Sequence, residues 1–350
     1  MFSLPKIIVT NLHQRFTGVS ATVKHLYPLQ SHNKDMAILD TGELGFGSLN
    51  WRDMLFGGWS RTIDNKPRVL HVRRDVEMLL GLLLKWVFRQ NWQLVFTSAA
   101  SKKHSFLLFH LIHKMDAIIA TSERSASFLD WHSTIINHGV DVAYFYPGPT
   151  QRNNQPFWIG VFGRLRHLKG TDLVVDALIA LLPQHPEWQI FFAGLAKDND
   201  FMINMMTKIK HADLEGRFHF LGDLPHDAII QHYQRCHLVV AASRREGFGL
   251  TPLEAMACGV PVVTSRAGFW PELVQPGRNG WLFETGDVED LKRTMQHAML
   301  DPDQLIEMGK YARQYVVKNH SLQREADQIN AFYDTMLTPS FQKKASRASA

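Results

Sequence analysis

The chain has 350 residues, 45% hydrophobic and 20% charged, the composition of a folded globular protein long enough for two domains and not of a disordered one. Its 38 Lys and Arg against 33 Asp and Glu leave a net charge of +5, a mild basic excess that admits nucleic acid, an anionic membrane face or a diphosphate without choosing among them. Only Cys236 and Cys258 occur, far apart in apolar stretches, which excludes a disulfide framework and fits a reducing compartment.

The chain enters the strand-like run Lys6-Ile7-Ile8-Val9-Thr10 almost at once, leaving no room for a signal peptide. The most apolar run, 78–84, is broken by Lys85 and Arg89, well short of the ~20 residues of a membrane span. A cytoplasmic protein is expected. Strands over 6–10, 36–39, 69–72, 94–97, 117–120 and 134–136 alternate with helices near 19–28, 76–89, 103–114 and 122–129. Residues 141–156 then lose periodicity and collect Pro147, Gly148, Pro149, Asn153 and Asn154, a linker signature.

A second series follows, with strands over 157–162, 190–193, 218–221, 238–241, 260–264 and 280–283. Helices near 171–182, 226–235 and 252–258 are interleaved, and three more close the chain over 288–300, 302–319 and 322–337. Such alternation predicts an α/β fold of two doubly wound domains facing a central cleft, with ligands outside the carboxyl ends of the strands. The expected division is 1–147, 148–320, a closing helix over 321–337 that packs back toward the first domain, and a disordered tail over 338–350.

The loops after strands hold the chemistry. The first strand leads to Gly18, which permits close approach of a ligand to the backbone, but no GxGxxG is present and a nicotinamide enzyme is disfavoured. His71-Val72-Arg73-Arg74-Asp75 ends another strand; a lone histidine is more often structural, whereas a basic pair facing a crevice is less easily dismissed. Lys102-Lys103-His104 reads as a helix opening, where cations are unfavourable without an anionic partner. His71, Arg73, Arg74, Lys102, Lys103 and His104 are therefore candidates on the acceptor side.

In the second half, Arg164 and Lys169 flank a strand-to-helix turn, either a solvated basic turn or a seat for a diphosphate. Asp198-Asn199-Asp200 is too short to identify a metal site, and a solvated turn is its simpler reading. The 18 histidines show no zinc spacing, so no metal is expected.

The most informative stretch is Glu246-Gly247-Phe248-Gly249-Leu250-Thr251-Pro252-Leu253-Glu254, two carboxylates around a loop that turns into a helix. Thr251 and Glu254 have capping-box spacing, with Pro252 at the first helical position. Backbone N–H groups around Phe248, Gly249, Leu250 and Thr251 would suit a phosphate, and the two acids would suit sugar hydroxyls. Glu246 has a second reading as a surface partner of Arg244 and Arg245, and Glu254 one as a purely structural cap.

Together these residues resemble the family 4 retaining glycosyltransferases of GT-B fold, whose E-x7-E pair matches Glu246 and Glu254 and whose Arg/Lys pair matches Arg164 and Lys169. Three first-half blocks, 17–22, 71–78 and 96–99, with 162–172, resemble the bacterial lipopolysaccharide-core mannosyltransferases. That resemblance implies a GDP-mannose donor, a lipid A–Kdo glycolipid acceptor, and roles for Arg164 and Lys169 on the diphosphate, Glu246 on the sugar and Glu254 on the ribose. No cofactor beyond the nucleotide sugar is implied. Where many family members carry a histidine near the donor sugar, this chain has Thr97-Ser98.

A UDP-sugar donor with another glycolipid acceptor, or a sugar-nucleotide epimerase of the same architecture, are the alternatives. A nucleic-acid binder lacks its aromatic or zinc motifs here. The amphipathic segment 76–89 either turns its leucines into the first-domain core or rests on an anionic membrane surface.

Overall fold

The computed structural model describes residues 4–338 apart from 15–16, 43, 48, 61, 63–65 and 149–155. The tail expected over 339–350 thus lies outside the described residues. Two compact units are present, one of Met1–His138 with Leu322–Ala350 and one of Gly139–Ser321.

The first unit runs β1 (Ile7–Asn11), α1 (Gly18–Ser31), β2 (Met36–Asp40), α2 (Trp51–Gly57), β3 (Arg68–Val72) and α3 (Asp75–Leu82). A π-helical turn over Leu83–Val87 extends α3, followed by β4 (Trp92–Ser98), α4 (Phe106–Ile112), β5 (Ala117–Ala120), α5 (Glu123–Ala126) and β6 (Thr134–Ile135). The six strands pair in the order β2-β1-β3-β4-β5-β6, all parallel. Buried on both faces, they need near-continuous apolar sequence, as in Ile7-Ile8-Val9.

The second unit runs β7 (Phe157–Phe162), α6 (Thr171–Leu181), β8 (Trp188–Ala193), α7 (Asn199–His211), β9 (Phe218–Gly222), α8 (His226–Arg235) and β10 (Leu238–Ala241). It continues with α9 (Thr251–Ala257), β11 (Val262–Ser265), α10 (Trp270–Leu273), β12 (Gly280–Phe283), α11 (Val288–Met299) and α12 (Pro302–Asn319). Its parallel sheet has the order β12-β11-β10-β7-β8-β9. Each sheet reverses its order once, between β1 and β3 in the first and between β7 and β10 in the second, and such switch points are where doubly wound folds open a crevice.

The division falls nine residues before the expected 147/148 boundary. Val140 and Phe145 already belong to the core of the second unit, and Arg313 of α12 donates to the carbonyls of Val142 and Phe145 at 2.9 and 2.7 Å. The polar composition of 141–156 hides these anchors. The helix α7 is also absent from the sequence reading: Asp198-Asn199-Asp200 is its start, with the Asp198 carboxylate accepting the Phe201 N–H at 3.0 Å. Among the described residues no helix is long and apolar enough to cross a membrane.

After the second unit the chain returns as α13 (Leu322–Met336), which lies against α1 and covers one face of the first sheet through Ala326, Ile329 and Tyr333. Gln30 and Asn330 join side chains at 3.4 Å, and Glu325 takes His138 at 2.7 Å. Tyr333 ends at His71, whose Nδ1 lies 2.5 Å from the phenol oxygen while Nε2 lies 2.6 Å from Thr97 Oγ1. His71 is therefore a core histidine and not an acceptor-side group: it is fully buried, and strand alternation puts it on the sheet face that α13 covers.

Burial, with the positive charge of Arg73 second, holds the His71 imidazole well below its ordinary pKa. The unfolded chain takes up that proton below about pH 6.5 while the folded chain refuses it, so folding stability falls as the pH drops through that value. His71→Gln should flatten the decline between pH 6.5 and 5 by up to about 1.4 kcal/mol per pH unit in urea melts. Equal slopes in the two proteins would show that His71 is not the source.

Candidate functional site

In the second unit the switch point sets two loops side by side, one leaving β7 and one leaving β10. The β7 loop passes Arg164, which is exposed and makes no hydrogen bond or ion pair, and winds a short turn over His167–Lys169. Gly170 ends that turn at φ +67°, and a Cβ there would sit 1.9 Å from the Ala242 carbonyl oxygen, so only glycine lets the two loops meet. Arg244 then fastens them. Its N–H donates to the Leu168 carbonyl at 2.9 Å, and its guanidinium grips both Asp172 oxygens at 2.7 Å.

That fastening aligns Lys169 with Glu246. Lys169 Nζ forms an ion pair with Glu246 Oε2, to which Ser243 Oγ also donates at 3.3 Å, while the Gly247 N–H reaches Oε1 at 3.2 Å. Both side chains are partly buried. The pairing of Glu246 with Arg244 that the sequence left open does not occur, because Arg244 is committed to Asp172.

Beyond Glu246 the chain turns at Gly249, φ +82°, where a Cβ would meet Trp270 Nε1 at 2.6 Å and Glu246 Cγ at 2.7 Å. The Trp270 indole donates to the Gly249 carbonyl at 3.0 Å and fixes this turn. The Phe248 side chain is buried, stacked on Phe269 with centroids 4.4 Å apart.

The capping box expected of Thr251 and Glu254 is not formed. The helix α9 starts one residue earlier, Leu250 is its cap residue without a side-chain bond, Thr251 is the first helical residue and Pro252 the second. Glu254 is thereby released from capping and accepts the Tyr233 hydroxyl at 2.7 Å. Burial raises the Glu254 pKa, and the Tyr233 hydrogen bond and the Lys169 charge pull against it. Lys169 thus meets both acids, as the ion-pair partner of Glu246 and as a smaller charge effect on Glu254. Tyr233, stacked on Phe162 at 3.8 Å, is invisible in the sequence as a site residue because it comes from α8, with no motif of its own.

In the first unit, Gly18 opens α1, and Thr17 caps that helix. A cavity of about 370 Å³ at the carboxyl ends of β3 and β4 is lined by Arg73, Arg74, Ser98 and His104 among others. Burial lowers the His104 pKa, which keeps its ring neutral at pH 7. Lys102 and Lys103 are exposed and precede α4, which starts at Phe106 after Ser105, so they do not open a helix and do not line the cavity. Thr97 lines the same cavity, with its hydroxyl tied to His71. Among the described residues no group of three or more His, Cys, Asp or Glu is arranged to hold a metal ion.

Two all-parallel α/β units, with a cation–carboxylate group at the switch point of the second, define the GT-B class of glycosyltransferases. The family model for glycosyl transferases group 1 matches residues 145–315. The lipopolysaccharide core biosynthesis mannosyltransferase LpcC of Rhizobium leguminosarum bv. viciae is 40% identical over 95% of this chain and 97% of its own length. The corresponding LpsB of Rhizobium meliloti is 37% identical over 95% and 98%. The chain belongs to the group 1 glycosyltransferase family.

Two solved structures share the fold. Anabaena HepE in complex with UDP and glucose has a TM-score of 0.75 at 20% identity, covering 95% of this chain and 100% of that one. Sucrose-phosphate synthase from Thermosynechococcus elongatus has a TM-score of 0.75 at 19% identity, covering 94% and 98%.

Tyr233→Phe removes the hydroxyl that solvates the Glu254 carboxylate. It should cost about 1–3 kcal/mol of stability at pH 7, and the loss should shrink toward pH 5 as Glu254 takes up a proton. Urea melts at the two pH values read both effects, and a pH-independent loss would assign Tyr233 to packing alone.

Proposed function

We propose that the protein transfers mannose from GDP-mannose, with retention of anomeric configuration and without a metal, to a lipopolysaccharide inner-core acceptor of the lipid A–Kdo type. The observation that carries the reading is the Lys169–Glu246 pair at the second switch point, with Glu254 and Tyr233 behind it. Breaking a sugar–phosphate bond leaves negative charge on the departing diphosphate. Lys169 and the unpaired Arg164 supply fixed positive charge for it, which stabilises the transition state more than the ground state. Glu246 then serves the sugar hydroxyls and Glu254 the ribose. Same-face attack, with the phosphate accepting the acceptor's proton, needs no covalent enzyme intermediate and is consistent with these residues. The naming of mannose and of the lipopolysaccharide core is supported by the two rhizobial relatives, each matched over nearly its whole length.

The test is product formation from GDP-mannose, UDP-glucose and UDP-N-acetylglucosamine with an inner-core acceptor, with and without EDTA. Mannosyl transfer that survives EDTA is expected. Transfer from a UDP-sugar alone, epimerisation of free nucleotide sugar, or activity restored only by Mn²⁺ would each overturn the corresponding part. Lys169→Ala should lower turnover by on the order of 10²–10³, and near-normal turnover would remove Lys169 from leaving-group stabilisation.

We also place the protein on the inner face of the cytoplasmic membrane as a peripheral protein. The segment after β3 is two-faced: Met78, Leu82 and Leu84 are buried, whereas Val76, Leu79, Leu83, Trp86 and Val87 are all more than 40% exposed. The neighbouring α4 exposes Phe106 and Leu107. Lys85 gives its charge to both oxygens of Asp116 at 2.6 Å, so attraction to anionic lipid falls to Arg89, Lys102, Lys103 and Lys114. Sedimentation with phosphatidylglycerol vesicles should weaken at least fivefold for Trp86→Ser with Val87→Ser and not for Lys85→Gln. The opposite ranking would move the contact elsewhere.

A further inference from the structure

The switch point of the first sheet, between β1 and β3, holds charge that the reaction described above leaves unused. The chain leaving β1 enters α1, and the chain leaving β3 is Arg73-Arg74. Arg73 is only 9% exposed, and its Nη1 is buried with no hydrogen-bond partner. Arg74 Nη2 donates to Thr17 Oγ1 at 2.7 Å and Ser20 Oγ at 3.3 Å, but its Nη1 is likewise buried and unpartnered. Both line the 370 Å³ cavity.

Nearby acids do not account for them. The fully buried Glu77 carboxylate is filled by the Thr10 hydroxyl at 2.9 Å and by the N–H groups of Leu12 and Arg73 at 3.1 and 2.7 Å. Asp75, on the cavity rim, is exposed and accepts the Val76 N–H at 2.9 Å. A buried guanidinium with open donors is costly unless an acceptor completes it. The 14-residue α1 adds to the field, since its first turn carries no acid and its N-terminal residues Val19 and Thr22 face the same cavity. The lining also has an apolar part: Met78, Phe96 and Leu108.

From this geometry we infer that the cavity is an oxyanion seat for the acceptor, in which Arg73 and Arg74 grip a carboxylate or phosphate carried by its sugars. The apolar lining residues suit the C–H face of the attached ring. The assignment rests on the glycosyl-transfer reading, since it supposes that an acceptor sugar enters the first unit. It goes beyond that reading by making one acidic group of the acceptor the anchor of its register. In an acceptor of the Kdo–lipid A kind the two sources are the sugar-acid carboxylate and the lipid phosphate.

The experiment uses the full chain with Arg73→Lys, which keeps the charge and loses the fork, and Arg74→Gln, each first shown to melt within a few degrees of the unaltered protein. Acceptor KM is measured for the native acceptor, its carboxyl methyl ester and its dephosphorylated form, beside GDP-mannose affinity. The expected result is a rise of about tenfold or more in native-acceptor KM with donor affinity unchanged. One of the two neutralised acceptors should already show that rise with the unaltered protein and lose nothing further with the variants. Whichever one does so identifies the group. Unchanged acceptor KM, equal losses with all three acceptors, or a loss of donor affinity instead would overturn the assignment.

Inorganic phosphate supplies a readout independent of transfer: its binding, followed by calorimetry, should weaken at least fivefold in Arg73→Lys. Loss of that difference counts against the seat. Its persistence in a protein that fails to transfer mannose would leave the seat standing and sink the reaction.

Discussion

A parallel sheet buried on both faces has no free face for chemistry, so the reactive groups stand on the loops at the carboxyl ends of its strands. Reversal of strand order opens the one gap where two such loops diverge around a crevice. In the second unit that gap is bridged by contact between Gly170 and the Ala242 carbonyl and by the Arg244–Asp172 fork. Every property assigned to the donor site depends on this closure: Lys169 reaches Glu246 only because the turn that carries it is pinned to the loop leaving β10. The structural and the chemical residues are adjacent in sequence, and Arg244 builds the frame in which Glu246 operates.

The same loops show how burial redistributes the roles of acids. Glu246 keeps contacts with Lys169, Ser243 and the Gly247 N–H, whereas Glu254 is anchored by one phenol in a setting that resists its charge. The two acids are eight residues apart in sequence yet differ in their partners, Glu246 paired with Lys169 and Glu254 with Tyr233.

Much of this was legible beforehand because parallel strands announce themselves. Ile7-Ile8-Val9 or Leu238-Val239-Val240 have no other stable disposition, and the loops after them are fixed by counting. What misled was local pattern whose outcome tertiary contacts decide. Thr251-x-x-Glu254 has the spacing of a cap, but the helix begins a residue early and Tyr233 claims the glutamate. His71 stands beside Arg73 and Arg74 and shares their strand end, yet pleating puts it on the face covered by α13, against Tyr333, a partner 262 residues away. The helix α7 was missed because only Met205 and Ile209 of its thirteen residues are buried, too sparse a stripe to stand out. Residues such as Tyr233 carry no signal in a single sequence, because only the fold puts them beside the acid.

The return of α13 to the first unit has a consequence for how the chain is made. A ribosome delivers β1 to β6 first, but the surface formed by α1 and the inner end of His71 waits for residues that come after the whole second unit. Until then the first unit exposes the apolar ground that Ala326, Ile329 and Tyr333 later cover. The second unit, continuous in sequence, can fold on its own schedule. A chain that ends before α13 therefore leaves this apolar face of the first sheet uncovered, so folding of the first unit is complete only when its last helix is made.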